Sequence, residues 1–323
     1  MEKATSTSLF FLCVFLVFLA FCSIPGAKSQ ELGKAVLLWG SEHPSICPGH
    51  GFGSDLLIVY VDLGAPEDEE EFSYEAGSEN GPEHWGDLNP EWSLCKNGTM
   101  QSPIDLTHKR VEVAPGLGRL KRSYKPATAA VKNRGHDIML KWIGDAGSIH
   151  IDGVEYHLRQ CHWHSPSEHS INGRRFEMEV HLVHQSRENK TAVLGIMYKR
   201  GRPDPFLSEL MEPIEDIART KDEETEVGVA NPWHIKLGSR KYYRYLGSLT
   251  TPPCHQNVLW TITRKVLLTL RTAYVRTVSM EQVRMLREAV HDDAEKNARP
   301  LQEINKREIR FYRPQTLDGR PRR

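Results

Sequence analysis

Between residues 72 and 314 the sequence predicts a single, mainly β domain. Short apolar runs such as Ile138-Met-Leu-Lys-Trp142 and Ala192-Val-Leu-Gly-Ile-Met-Tyr198 are separated by Gly, Pro and Asn, the punctuation of strands and turns. Helical signals are few. The clearest runs from Ser279 to Val290, with Ser279 as a cap, Gln282 at the third helical position, and Val283, Leu286 and Val290 at helical spacing. A chain of 323 residues does not demand a second domain, because single β-rich domains commonly reach roughly 200–250 residues.

The flanks read differently. An apolar run from Leu9 to Phe21 follows Lys3 and precedes small residues around Ala27 and Ser29, which predicts a cleaved secretory signal over residues 1–29. The run is shorter than the ~20 residues of a membrane span, so no membrane anchor is expected after cleavage. Residues 30–71 predict a poorly ordered extension: two apolar stretches flank a Gly/Pro/His-rich segment with Cys47, and an acidic run, Glu67 to Glu71, closes it. Residues 315–323 read as a basic, solvated tail.

Lys+Arg and Asp+Glu both total 42, so there is no overall positive field to draw in nucleic acid, and a small neutral ligand suits the balance better. In an oxidising compartment the cysteines become disulfide candidates. Cys13 and Cys22 leave with the signal. Cys95 and Cys254 lie in loop-like sequence whereas Cys161 sits inside an apolar strand pattern, which pairs Cys95 with Cys254, although spacing alone does not fix connectivity. Asn97-Gly-Thr99 and Asn189-Lys-Thr191 are N-glycosylation acceptor triplets and predict exposed loops.

The chemistry concentrates in two strand-like runs. In Gln160-Cys-His-Trp-His164 alternation puts Gln160, His162 and His164 on one face, and Cys161 and Trp163 on the other. In Glu177-Met-Glu-Val-His-Leu-Val183 it puts Glu179, His181 and Val183 opposite Met178, Val180 and Leu182. Three neutral imidazoles with no evident fourth protein ligand make a catalytic rather than a structural zinc pattern, since a closed structural site wants four ligands, usually including Cys.

His162-Trp-His-Ser-Pro-Ser-Glu-His169, Glu179-Val-His-Leu-Val-His184, Gly247-Ser-Leu-Thr-Thr-Pro-Pro-Cys254, Gln101-Ser-Pro-Ile-Asp105 and Gly81-Pro-Glu-His-Trp-Gly86 together resemble the α-carbonic anhydrases, the plant secretory branch most of all. They come in that family's order across most of residues 72–314. The resemblance implies a large, twisted, mostly antiparallel central sheet with short peripheral helices, and zinc at the base of a cone-shaped cleft. It implies reversible hydration of carbon dioxide to bicarbonate by a zinc-activated hydroxide, a lyase reaction with CO₂ and bicarbonate as its small-molecule partners.

It also distributes roles. Zinc falls to His162, His164 and His181, with Gln160 and Glu179 holding the outer nitrogens of His162 and His181. Thr250 passes its hydroxyl proton to Glu168 and orients the nucleophile. His136 is the proton shuttle, a role suited by an unperturbed pKa near ~6.5. Val183, Val193, Leu249, Thr251, Val258 and Trp260 line the CO₂ pocket. Arg134 and Met139 replace polar residues of animal members, which alters the surroundings of His136.

The family pattern breaks once inside the domain, where nine additional residues, Leu267 to Val275, follow Arg264-Lys-Val266. Two rival functions remain: a non-catalytic storage or binding protein of the same fold, for which loss of a ligand histidine is the expected mark, and a zinc hydrolase of esters. The expected location is the secretory pathway and the extracellular space, with the chloroplast reached through that pathway as the alternative.

Overall fold

The computed structural model describes residues 72–237, 239–264, 276–288 and 296–314. The signal-like segment 1–29, the extension 30–71, the insertion at 267–275, the last turn of the expected helix at Val290 and the tail 315–323 lie outside the described residues.

The framework is a thirteen-stranded sheet: β1 (Val111–Val113), β2 (Lys121–Arg122), β3 (Ala127–Asn133), β4 (Ile138–Trp142), β5 (Ser148–Ile151), β6 (Val154–His164), β7 (Met178–Gln185), β8 (Thr191–Arg200), β9 (Glu224–Ala230), β10 (Lys241–Ser248), β11 (Gln256–Arg264), β12 (Thr277–Val278) and β13 (Ile309–Tyr312). Its main path runs β1-β13-β10-β11-β8-β7-β6-β4-β3-β9. Most pairs are antiparallel, as expected, but β11 and β12 both run parallel to β8, and β1 parallel to β13. Among the described residues, five short helices lie around it: α1 (Trp85–Leu88), α2 (Leu94–Asn97), α3 (Pro205–Ser208), α4 (Met211–Ile217) and α5 (Met280–Glu288).

Alternation along β7 and β8 explains how the sheet divides its two faces. Met178, Val180 and Leu182 join Leu194, Ile196, Cys161 and Trp163 in a core that Phe206, Leu207, Ile214, Val283 and Leu286 of the helices cover. The opposite face carries His181 and packs Val193, Val258, Trp260, Ile262 and Tyr245 into a second core. With one face sealed by helices, a one-residue slip would bury Glu179 and His181 among aliphatics, so the register is strongly specified.

Helix α5 forms as its sequence signals: the Ser279 hydroxyl accepts from the Gln282 amide at 3.2 Å, and the Gln282 side chain accepts from the Ser279 amide at 3.3 Å, a reciprocal cap. A third cluster, Phe72, Tyr74, Trp85, Trp92, Cys95 and Cys254, surrounds the disulfide joining Cys95 to Cys254. Cys95 stands on the single-turn helix α2 rather than in a loop, because the Ser93 carbonyl accepts from both Lys96 and Asn97 and closes that turn. Cys161 is buried and unpaired, as its strand position predicts.

Candidate metal centre

Strands β6 and β7 set His162 directly opposite His181, and His164 opposite Glu179. The three imidazoles converge: one ring nitrogen from each of His162, His164 and His181 lies within 4.8 Å of the others, and all three rings are buried. Each outer nitrogen is already engaged. His162 Nδ1 is 2.8 Å from Gln160 Oε1, His164 Nδ1 is 2.5 Å from the Asn297 carbonyl, and His181 Nε2 is 3.0 Å from Glu179 Oε1. An amide oxygen, a carbonyl and a carboxylate only accept, so each of these nitrogens carries the proton. His162 Nε2, His164 Nε2 and His181 Nδ1 are left as lone pairs facing inward.

The donor set fits a divalent ion. His164 Nε2 is buried with no hydrogen-bond partner among the described residues, an orphan that costs free energy unless something with a positive charge or a proton meets it. Burial, reinforced by the neighbouring imidazoles, pulls His162 and His181 toward the neutral form that a metal requires; the opposing carboxylates, Asp137 and Glu179, are weaker. A second group, His169, Glu179 and His181, is as compact but closed. There Glu179 Oε2 accepts from the His169 amide, Glu179 Oε1 accepts from His169 Nδ1, and His169 Nε2 meets the Tyr245 hydroxyl at 2.6 Å. Every nitrogen of His169 is used within the protein. Burial alone would raise the Glu179 carboxyl, but His169 and His181 hold it well below the usual carboxylate range.

This network runs further than alternation foretells. Tyr245 meets Ser102 Oγ at 2.8 Å, and Ser102 Oγ accepts from the Ser248 amide. If Ser102 donates to Tyr245 and Tyr245 to His169, every proton is placed, and the Glu179 charge is locked against His181. Gly195 makes room for it: lying opposite His181, a Cβ there would stand 2.8 Å from Glu179 Oε1 and 2.6 Å from Ile262 Cδ1. Asn297 is pinned in turn, its side chain bonding the Ser165 amide and the Trp163 and His136 carbonyls. His169 stands within the His162–His169 motif; the Asn297 carbonyl has no sequence signature, since any residue supplies one.

Glu168 is fully buried, and its Oε1 accepts from the Arg299 amide at 2.9 Å. Its Oε2 accepts no hydrogen bond, so the contact with the Thr250 hydroxyl that the resemblance implies is not made. That oxygen faces the imidazoles instead, 3.6 Å from His164 Nε2 and 3.9 Å from His181 Nδ1. Thr250 is buried on the turn that Cys254 closes through its amide to the Thr251 carbonyl. Arg299 braces the region, donating to Gln101 Oε1 and to the Ser102 and Cys95 carbonyls.

Val193, Val258 and Trp260 are buried in the core beside the site, and Val183 and Leu249 pack partly exposed against it. Thr251 is half-buried. Trp260 also packs its ring 4.8 Å from those of both His181 and His169, so it buttresses both imidazoles as well as joining the second core.

His136 departs from the expected unperturbed titration. Its ring lies 4.8 Å from that of Phe72 and its side chain is only 12% exposed. Burial pulls its pKa down to about 4, Arg134 adding to this and Asp137 opposing it. Asp137 is itself ion-paired to Arg134 at 2.5 Å, which holds its carboxyl far down despite its burial.

The family model for eukaryotic-type carbonic anhydrase matches residues 80–313. The chain belongs to the α-carbonic anhydrase family. Alpha carbonic anhydrase 7 of Arabidopsis thaliana is 55% identical over 251 residues, covering 78% of this chain and 88% of that protein, which supports the plant branch. Dioscorin DB3L of Dioscorea polystachya is 47% identical over 260 residues, 80% of this chain and 92% of its own. Among solved structures, a dioscorin complexed with ascorbate shares 44% identity at a TM-score of 0.70, covering 75% of this chain and 98% of that one. The α-carbonic anhydrase of Thermovibrio ammonificans, solved with sulfanilamide, shares 32% at 0.65, covering 74% and 98%.

Proposed function

We propose that this family member is a zinc-dependent carbonic anhydrase, catalysing CO₂ + H₂O ⇌ HCO₃⁻ + H⁺. The observation that carries the reading is the set of three buried imidazoles whose outer nitrogens are all hydrogen-bonded within the protein, with the His164 Nε2 orphan among the inward ones. His162 Nε2, His164 Nε2 and His181 Nδ1 would hold the ion. Bound zinc supplies the Lewis acidity that lowers the pKa of water to near 7, a magnitude for which carbonic anhydrase is itself the standard example.

The protein's own residues do the rest. Gln160, the Asn297 carbonyl and Glu179 fix ring angles and tautomers, which ordinarily matters 10–100-fold for metal affinity. Val183, Val193, Leu249, Val258 and Trp260 offer CO₂ an apolar wall and exclude competing water. Glu168 Oε2, without a hydrogen-bond partner among the described residues, is available as the acceptor through which the Thr250 hydroxyl would orient the attacking oxygen and discriminate against protonated ligands. His136 stands at the shuttle position, but burial makes its ring a poor acceptor and so a slow carrier of the released proton to solvent buffer.

The test is CO₂ hydration by zinc-loaded protein beside His181→Ala: activity in the first that is lost in the second supports the reading, and equal activity refutes it. Sulfanilamide, bound by the Thermovibrio ammonificans enzyme, is expected to inhibit. The dioscorin relatives favour a second reading, a binding or storage protein, and a zinc-loaded chain without CO₂ turnover would select it. Ester hydrolysis is expected only as a slow side activity of the same nucleophile. The chain enters the secretory pathway and acts outside the cell, or in the chloroplast by that route, carrying glycans on Asn97 and Asn189, both of which are exposed. Loss of mass on glycosidase treatment of the native protein checks this.

A further inference from the structure

Away from the histidines, β2, the turn Pro232–His234 and the start of β10 enclose an open cleft of about 610 Å³, lined among others by Arg119, Lys121, Arg122, Trp233, Arg240 and Tyr242. That volume is within the roughly 300–1,000 Å³ of small-ligand sites. Trp233 is held in place: its amide is capped by Asn231 Oδ1 and its indole Nε1 donates to the Tyr124 carbonyl. Yet the residue remains 38% exposed. Such a rigid, partly open indole offers aromatic surface to the cleft, suited to the positively polarised C–H bonds on the face of a sugar ring.

The charge around it is one-signed. The Arg122 guanidinium lies 4.5 Å over the Trp233 ring and 5.4 Å over that of Tyr124. Its Nη1 is buried and has no hydrogen-bond partner among the described residues, so Arg122 adds uncompensated positive charge behind the ring. Arg119, Lys121 and Arg240 are exposed, and no carboxylate lines the cleft among the described residues. Basic side chains kept together without counter-charges repel one another unless an anion joins them. Because the whole chain balances 42 cationic against 42 anionic residues, the field is local and suits a short acidic ligand better than a nucleic acid.

We propose that this cleft binds an acidic oligosaccharide, with one sugar face against Trp233 and uronic-acid carboxylates paired to the exposed cations Arg119, Lys121 and Arg240, Arg122 adding its charge from behind the indole. A planar carboxylate matches the fork of a guanidinium. The ligand is a second one, distinct from CO₂, and it touches no residue assigned to the metal centre.

Calorimetric titration of the full chain with trigalacturonate tests this, with its fully methyl-esterified form as the uncharged control. The expected result is saturable binding of the acid, weakened at least tenfold in Arg119→Glu/Arg240→Glu and at least fivefold in Trp233→Ala, with the ester too weak to measure. Arg119 and Arg240 are exposed, so their double variant folds even where Trp233→Ala does not, and circular dichroism confirms it. No binding to the unmodified chain, equal binding of the ester, or an affinity untouched by the charge reversal overturns the proposal.

Discussion

Phe72→Ala should convert His136 from a poor into a competent proton acceptor. In the native fold the Phe72 ring lies 4.8 Å from the imidazole, and burial drops the pKa from 6.5 to about 4. That gap corresponds to about 3 kcal/mol in favour of the neutral ring, at about 1.36 kcal/mol per pH unit. Proton transfer is most efficient when donor and acceptor are matched near the working pH, and an acceptor at about 4 is far below a metal-bound water near 7. Removing the phenyl admits water to one face of the ring and should return at least one pH unit of the difference, Asp137 already favouring the cation. The assay is an NMR titration of the labelled His136 ring, paired with CO₂ turnover in dilute buffer, where proton removal limits the rate. The account expects a raised pKa and faster turnover in weak buffer, with little change in concentrated buffer. A native His136 that titrates near 6.5, or a pKa unmoved in Phe72→Ala, would refute the reasoning.

Other consequences follow from the same contacts. Gly195→Ala places a methyl against Glu179 Oε1 and Ile262, and should cost about 1–3 kcal/mol of stability while weakening zinc binding through His181; equilibrium unfolding and zinc competition read both. Replacing Cys95 and Cys254 by Ser opens a loop closed across 159 residues, worth at most about 5 kcal/mol in the chain-entropy model, and a denaturation midpoint unchanged by the replacement contradicts it. His136 and His184, pulled down to about 4 and about 3 by burial, are neutral in the folded state. Both take up protons on unfolding below 6.5, so their contribution is complete above 6.5 and is lost as the pH falls toward 3; urea unfolding of metal-free protein between pH 4 and 7 should show stability rising with pH.

What the sequence disclosed and what it hid divide along physical lines. Strand alternation was enough to put His162, His164 and His181 on one face with Gln160 and Glu179, because a period of two is local information. The capping pair Ser279 and Gln282 was equally local. The parallel pairing of β11 with β8 was not legible, since α3, α4, β9 and β10 intervene and no local pattern says which distant strands meet. Nor was the Asn297 carbonyl, 133 residues from the ring it holds, or the space Gly195 leaves for a carboxylate on the neighbouring strand. His136 shows the limit most plainly: its place in the motif is a matter of sequence, but its titration depends on an aromatic ring from the far end of the domain.

The central claim is that three neutral imidazoles share one ion. A crystal of the zinc-loaded protein, measured on both sides of the zinc absorption edge, tests it without reference to turnover. The account predicts one anomalous peak about 2.0–2.1 Å from His162 Nε2, His164 Nε2 and His181 Nδ1. No peak there at full zinc loading, or a peak held by His169 and Glu179 instead, would contradict it.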